Sequence, residues 1–130
     1  MIVDASVALK WVIREDGSDA ARALLGRETL IAPDLVFSEI ANCLWKKWRR
    51  GELASVPQLV ARLPALLKVE PTANLTVRAV EIAIQLAHPA YDCVYLALAE
   101  AINDRILTAD RRFIDVCART EFADRVIAFP

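Results

Sequence analysis

Residues 1–13, MIVDASVALKWVI, begin as a short apolar run and change to helical spacing at Ala5, with Asp4 between the two patterns. A short apolar run directly before a period of 3.6 residues is typical of a strand that leads into a helix. Asp4 therefore ends a predicted strand and opens a β–α unit. In open α/β sheets, ligands bind at this edge, beyond the carboxyl ends of the strands.

The rest of the chain repeats this alternation. Further strands are predicted over residues 30–32, 68–70, 105–108 and 125–128, and further helices over 18–25, 35–50, 55–67, 74–87, 92–103 and 110–119. Ser18 or Asp19 is expected to cap the second helix, Asp34 to cap the third, and Pro64 to bend the fourth. Short strands between helices predict a short, mainly parallel central sheet covered on both faces. We therefore expect a single three-layer α/β/α domain over residues 1–130.

The composition excludes several classes of protein. The 130 residues are 56% hydrophobic and 25% charged, which is typical of one globular domain and not of a disordered chain. No apolar run reaches the roughly 18 residues of a membrane helix, and the first residues do not resemble a signal peptide. We expect a cytoplasmic protein without membrane contact. The net charge of −1 argues against a high-affinity, non-specific nucleic-acid binder.

Thiols and imidazoles do not form a metal-binding pattern. Cys43, Cys93 and Cys117 lie in apolar helical stretches without a C-x-x-C pair, and we interpret them as small buried thiols. The only histidine, His88, precedes Pro89 and is predicted to be a loop residue. A zinc site built from these residues is therefore not expected.

The aspartates form a more informative pattern. Asp110, like Asp4, follows a predicted strand and precedes a helix, and Asp92 begins a helix after the turn at 88–91. A helix N-terminus favours the ionised form of such a carboxylate. Each aspartate alone is explained as an N-cap, but their joint placement indicates a common acidic site.

Glu39 is the fourth candidate. It lies on the edge of an apolar stripe in the third helix that contains Val36, Ile40, Cys43 and Leu44. A carboxylate near a buried face needs a partner, which is either an arginine or a metal ion.

Four carboxylates without cysteine or histidine make an oxygen-only site. Such a site suits Mg²⁺ or Mn²⁺, and phosphodiester hydrolysis is the natural chemistry of these ions. Ser6 and Thr108, each two residues from a proposed ligand, either hydrogen-bond a carboxylate or a metal-bound water, or serve in caps and turns.

Four segments of the chain resemble the PIN domain, specifically the VapC-type toxins of bacterial toxin–antitoxin pairs. They are Asp4-Ala5-Ser6, the SEIAN sequence at 38–42, the YDCVYLALA sequence at 91–99 and the LTADRRF sequence at 107–113. The resemblance implies a Mg²⁺- or Mn²⁺-dependent endoribonuclease, often dimeric and neutralised by a small cognate antitoxin. It assigns the acidic site to Asp4, Glu39, Asp92 and Asp110, with Thr108 in support. Asp115 lies where some members carry a further acid, and a solvated helix position explains it equally well.

Three alternative classes of protein agree less well with the sequence. A receiver-type phosphoacceptor domain needs an acid pair after the first strand and a late lysine, but no lysine follows Lys68. A phosphatase of the haloacid-dehalogenase type needs an aspartate at the position of Ser6. A non-catalytic RNA- or protein-binding module of the same fold has no need of all four acids.

Two tryptophan-containing segments are candidate surfaces. Trp45 and Trp48, among basic residues at the end of the third helix, form either a core-facing edge beside a solvated basic face or a track for RNA. Trp11, with Leu9, Val12 and Ile13, either lines a dimer or antitoxin groove or belongs to the core. We expect a partner peptide to lie across the first three helices and to block the acids with a basic side chain.

Overall fold

The computed structural model describes all residues 1–130 as five strands and seven α-helices. The strands are β1 (Ile2–Val3), β2 (Ile31–Pro33), β3 (Lys68–Glu70), β4 (Ile106–Thr108) and β5 (Val126–Ala128). The helices are α1 (Ala5–Val12), α2 (Ser18–Arg22), α3 (Leu35–Arg49), α4 (Leu63–Leu66), α5 (Thr76–Leu86), α6 (Ala90–Ile102) and α7 (Arg111–Cys117). Short 3₁₀ helices occur at Gln58–Arg62, Thr72–Leu75 and Ala123–Arg125.

The five strands form one parallel sheet in the order β3-β2-β1-β4-β5. The chain adds strands on one side of β1 and then returns to its other side, so that Ile2 pairs with both Ile31 and Ile106. The strand order therefore reverses between β1 and β4. This switch point is where an open α/β sheet leaves a crevice for a ligand.

Two hydrophobic clusters, each of 15 buried residues, cover the two faces of the sheet. Ile2 and Ile106 belong to the cluster under α5, α6 and α7, whereas Val3 and Leu107 belong to the cluster under α1 and α3. Neighbouring strand residues face opposite sides, so each short strand contributes to both cores. The predicted three-layer α/β/α architecture is confirmed.

Helix α6 contains the longest run of buried residues in the chain. Its residues from Cys93 to Ala99 are all buried, which explains why this stretch is apolar on every side. No single helix is both long and apolar enough to cross a membrane; only Thr72–Leu86 and Ala90–Ile102 together pass such a test, and they meet at a 116° bend.

The structure corrects the predicted helix at 55–67. This segment forms the 3₁₀ helix Gln58–Arg62 and the four-residue α4. Pro64 has no amide hydrogen and cannot continue an α-helix from the preceding turn, but it fits the first turn of a new one. The chain therefore starts a second helix there instead of bending a long one.

The predicted cap of α2 is wrong, whereas Asp34 does occupy the predicted N-cap position of α3 but makes no capping side-chain hydrogen bond there. Asp34 has a helical backbone and makes no capping bond; its Oδ1 accepts from the Thr72 amide at 2.9 Å, while the Leu35 amide donates to Thr72 Oγ1 at 3.2 Å. Thr72, which is distant in the chain, thus accepts the hydrogen of the first amide of α3. Hydrogen bonds from Thr72 also lower the pKa of Asp34. The cap of α2 is Gly17, with φ of 84°, because the Ser18 hydroxyl bonds the preceding loop.

Candidate active site

A cleft of about 570 Å³ opens beyond the carboxyl ends of β1 and β4. All four predicted acids line it: Asp4, Glu39, Asp92 and Asp110. They come from four separate segments, at the β1–α1 junction, on α3, on α6 and at the β4–α7 junction. The cleft therefore lies at the topological switch point, and the fold brings the four acids to it.

Asp4 is the most buried of these acids. Its extended backbone caps α1, with Oδ1 accepting from the Val7 amide at 3.2 Å and from Ser6 Oγ at 2.6 Å, while the Thr108 hydroxyl donates to Oδ2. Burial raises the pKa of Asp4 from 3.8 to about 6, although these three hydrogen bonds act in the opposite direction. Desolvation is therefore the stronger effect, and the ionised carboxylate is held at a cost.

The hydroxyls of Ser6 and Thr108 join two strand–helix junctions. Ser6 Oγ accepts from the Ala109 amide at 2.8 Å, and Thr108 Oγ1 accepts from the Asp110 amide at 3.0 Å. Both hydroxyls also bond Asp4, so the structure supports the carboxylate-binding and the turn interpretations together. The two residues fix the end of β1 relative to the end of β4.

Asp110 caps α7 at the open side of the cleft. Its Oδ1 accepts from the amides of Arg112 at 2.9 Å and Phe113 at 3.2 Å. The residue is exposed, and Oδ2 accepts no hydrogen bond in the structure. Asp110 can therefore cap its helix with one oxygen and offer the other to the cleft.

Glu39 has no basic partner. Its Oε2 accepts a hydrogen bond of 2.5 Å from the Tyr95 hydroxyl on α6, and this tyrosine is buried. Burial is the main cause that raises the pKa of Glu39 from 4.5 to about 7; the Tyr95 bond lowers it, and the charges of Asp4 and Asp92 raise it. The alternative of an ion pair with arginine is therefore not found.

Asp92 lies in the first turn of α6 and does not begin it, because the helix starts at Ala90 after Pro89. Its Oδ2 is 2.5 Å from His88 Nε2. Since an ionised carboxylate only accepts, Nε2 carries the hydrogen in that state.

His88 corrects the expectation of a simple loop residue. It lies in the turn before α6, but its side chain is buried and stacks on Phe113, with ring centroids 6.1 Å apart and planes inclined by 18°. The signal for this contact in the sequence is the i,i+4 spacing of His88 and Asp92. Tyr95 has no such local signal, because its contact with Glu39 joins distant parts of the chain.

The donor chemistry of the cleft fits a hard divalent cation. Its acids supply only oxygen ligands, which such a cation prefers. The ionised carboxylates also repel one another, because the charges of Asp4 and Asp92 both raise the pKa of Glu39. No three acidic, imidazole or thiol groups already converge as a metal-binding cluster. The acids share a cleft without closing on one point. Asp115 is exposed on α7 and does not line the cleft.

The two tryptophan segments have different surroundings. Trp45 and Trp48 are 50% and 58% exposed, so the core-facing interpretation is wrong for them. They line an apolar groove of about 410 Å³, which we call the α3 groove, with Ala41, Leu44, Leu53, Ala54, Ser55, Val56 and Val60. Trp11 is a core residue: it is buried, and its indole Nε1 donates to the Ala21 carbonyl at 2.9 Å.

Comparisons with known proteins agree with this geometry. The PIN domain family matches residues 1–119. The chain is 34% identical to ribonuclease VapC3 of Pyrobaculum aerophilum over 121 residues, covering 88% of this chain and 92% of that protein. It is 40% identical to VapC ribonuclease Mb0985 of Mycobacterium bovis over 119 residues, covering 88% and 89%.

A solved structure has the same fold. The crystal structure of PAE2754 from Pyrobaculum aerophilum superimposes with a TM-score of 0.65 at 23% identity, covering 98% of this chain and 89% of that one. The PIN domain family matches most of the chain, two relatives are more than 30% identical to it, and the fold is shared. The chain therefore belongs to the PIN-domain family.

Proposed function

We propose that this protein is a Mg²⁺- or Mn²⁺-dependent endoribonuclease that hydrolyses phosphodiester bonds in RNA. The observation that carries the proposal is the cleft: four acids from four segments line it, and neither Asp4 nor Glu39 has a lysine or arginine partner. The relatives VapC3 and Mb0985 are named ribonucleases, which supports RNA as the substrate.

The four acids would hold the ion or ions. A divalent cation bound there would supply Lewis acidity, which activates water and stabilises the charge that develops on a phosphate. Lys46 lines the same cleft and offers a cation to the RNA backbone, and the exposed Tyr91 offers a face on which a base can stack.

The proposal is tested with a labelled RNA and the purified chain. Cleavage should require Mg²⁺ or Mn²⁺, stop in EDTA and return when metal is added back. Asp92→Asn should lower the cleavage rate by about 10²-fold or more, since it removes a charged group at the reacting centre. Asp124→Asn is the matched control, because Asp124 is exposed and lies just before β5, at the amino ends of the strands and not at the carboxyl ends where the cleft opens.

Two outcomes would overturn the proposal. Equal cleavage by wild type and Asp92→Asn would mean that this carboxylate is neither ligand nor base. RNA binding without cleavage under every metal condition would favour the alternative, a non-catalytic RNA-binding module of the PIN fold.

A small antitoxin protein is the partner that we propose in the cell, as the toxin of a type II toxin–antitoxin pair. The α3 groove supports this, because it exposes Trp45 and Trp48 on the helix that also carries Glu39 and Lys46 into the cleft. A peptide seated in this groove would be within reach of the acids. Where a small gene adjoins this one, co-expression of the two should yield a complex that Trp48→Glu weakens; recovery of the wild-type chain alone would count against it.

A homodimer is the assembly that we propose. Val77, Val80 and Ile84 share one face of α5 at helical spacing, and Val77 and Ile84 are each 77% exposed. A second copy packed about a two-fold axis would cover this stripe. Light scattering after gel filtration should give a dimer for wild type and a monomer for Ile84→Lys. A monomeric wild type, or an Ile84→Lys dimer, would contradict the proposed assembly.

A further inference from the structure

We infer that Tyr95 is a positioning residue of the proposed metal site: its hydroxyl, anchored on buried α6, holds the carboxylate of Glu39 in the cleft. The inference rests on the proposed function, because it concerns how one ligand of that site is held. Tyr95 would act through Glu39 and would not itself contact RNA or the reacting phosphate.

Glu39 needs such an anchor more than the two capping aspartates do. Asp4 and Asp110 are short side chains that accept from backbone amides at the start of α1 and α7. Glu39 projects from the second turn of α3 and accepts no backbone hydrogen bond. A long side chain at such a position has several rotamers, and its only hydrogen bond in the structure comes from Tyr95.

Tyr95 has the properties of a rigid anchor. Only 1% of its surface is exposed, and it belongs to the core cluster under α5, α6 and α7. A buried phenol needs a partner for its hydroxyl, and Glu39 is the partner. The position of the hydroxyl is therefore set by the packing of the core.

The hydroxyl of Tyr95 lies on the same side of α6 as the acid Asp92. Tyr95 lies three residues after Asp92, so the two share one side of the helix. Both line the cleft, together with Glu39 from α3. The hydrogen bond therefore ties α3 to the helix that carries a second acid of the site. It uses Oε2 of Glu39, and Oε1 accepts no hydrogen bond from the protein, which leaves that oxygen to face an ion.

The test is a double-mutant cycle on metal affinity, without RNA. Tyr95→Phe removes only the hydroxyl and keeps the ring in the core, and Glu39→Gln removes the charge of the proposed ligand. Mn²⁺ binding is measured on the folded proteins by the loss of the free-Mn²⁺ electron paramagnetic resonance signal. We expect Tyr95→Phe to weaken Mn²⁺ binding about 10-fold, within the range for groups that orient a ligand.

The double variant separates positioning from a general effect on the fold. If Tyr95 acts through Glu39, Tyr95→Phe should have no further effect on Mn²⁺ affinity in the Glu39→Gln background. A general loosening of the core would lower the affinity by a similar factor in both backgrounds. Urea unfolding in EDTA establishes that each variant is folded before it is titrated.

The outcomes distinguish this inference from the proposed function. If wild type and Glu39→Gln bind Mn²⁺ equally, Glu39 is not a ligand, and the proposed function loses one of its acids. If Glu39→Gln binds weakly while Tyr95→Phe binds like wild type, or if the two effects add, only the inference is overturned.

Should Tyr95→Phe fail to fold, Glu39→Asp serves instead: it retracts the carboxylate from the Tyr95 hydroxyl and should weaken Mn²⁺ binding by a similar factor. Wild-type affinity in that variant would contradict the inference.

Discussion

Thr108, at the end of β4, donates its hydroxyl hydrogen to Oδ2 of Asp4, at the end of β1. The same hydroxyl oxygen accepts from the Asp110 amide at 3.0 Å, and Thr108 is fully buried. One side chain therefore contacts both aspartates that follow the two central strands. Because β1 and β4 are paired neighbours in the sheet, this contact fixes the separation of the two acids at the switch point.

Thr108→Val should destabilise the protein and weaken its metal binding. Valine keeps the shape but leaves Oδ2 of Asp4 and the amide of Asp110 without their partner, at a cost of about 1–3 kcal/mol for a buried group. Urea unfolding in EDTA measures the loss. Thr76→Val is the control, because that exposed hydroxyl bonds only the Thr72 carbonyl, and surface changes of this kind stay within about 0.5 kcal/mol. Equal stability of Thr108→Val and wild type would mean that the contact contributes nothing.

The Glu39 carboxyl should make metal-free stability depend on pH. Its pKa is raised from 4.5 to about 7 in the folded protein, mainly by burial. The folded state therefore holds this proton more tightly than the unfolded chain does, and the free energy of unfolding falls as pH rises between about 4.5 and 7. Above that range the loss is constant, on the order of 1 kcal/mol for a partly solvated group.

The comparison of Glu39→Gln with wild type isolates this contribution, because other titrating groups are common to both proteins. In EDTA the variant should match wild type below about pH 4.5 and become the more stable protein by pH 8. Guanidinium unfolding at a series of pH values gives the difference. A difference that does not change with pH, or that favours wild type at pH 8, would show that burial of Glu39 carries no such cost.

Thr72, and not Asp34, should be the residue on which the start of α3 depends. The Leu35 amide donates to Thr72 Oγ1, and the Thr72 amide donates to Asp34 Oδ1. Thr72→Val removes the acceptor for Leu35, and loss of a capping group costs about 1 kcal/mol. Thr72→Ser keeps the hydroxyl and should retain most of the stability in urea. Equal losses in Thr72→Val and Thr72→Ser would assign the effect to packing of the methyl group.

Local sequence information was sufficient for the parts of the site that depend on neighbours in the chain. The change of period at Asp4 and at Asp110 predicts the strand–helix junctions, and both residues do cap the helices that follow. The apolar stripe of α3 likewise predicts that Glu39 lies beside a buried face. Parallel pairing then brings the ends of β1 and β4 together, so the common cleft follows from the topology.

The contacts that the sequence did not predict depend on distant residues or on a single rotamer. Tyr95 and Glu39 are separated by 56 residues, and Thr72 and Asp34 by 38. Such contacts follow from the packing of whole helices, which hydrophobic periodicity does not specify. His88 bonds a residue four positions away, but only because its ring turns inward onto Phe113. The groove lined by Trp45 and Trp48 could not be predicted either, because its other side is formed by the loop at residues 53–56, whose position depends on tertiary packing.

The two capping aspartates differ in burial, and we therefore expect asparagine to affect the metal-free stability differently at the two positions. Asp4 is buried and its pKa is raised to about 6, so its ionised form opposes folding at pH 8 until a cation arrives. Asparagine caps a helix about as well as aspartate, and Asp4→Asn should therefore be at least as stable as wild type in EDTA. Asp110 is exposed, so Asp110→Asn should leave metal-free stability unchanged.

Mn²⁺ should stabilise wild type by RT ln(1 + [L]/Kd), about 2.7 kcal/mol at roughly 100 times Kd, and both variants less, because each lacks a ligand charge. Thermal melts of the three proteins in EDTA and in Mn²⁺ test this pattern. If both variants are clearly less stable than wild type in EDTA and Mn²⁺ leaves wild type unchanged, these aspartates are structural caps, and the proposed metal chemistry has no basis in them.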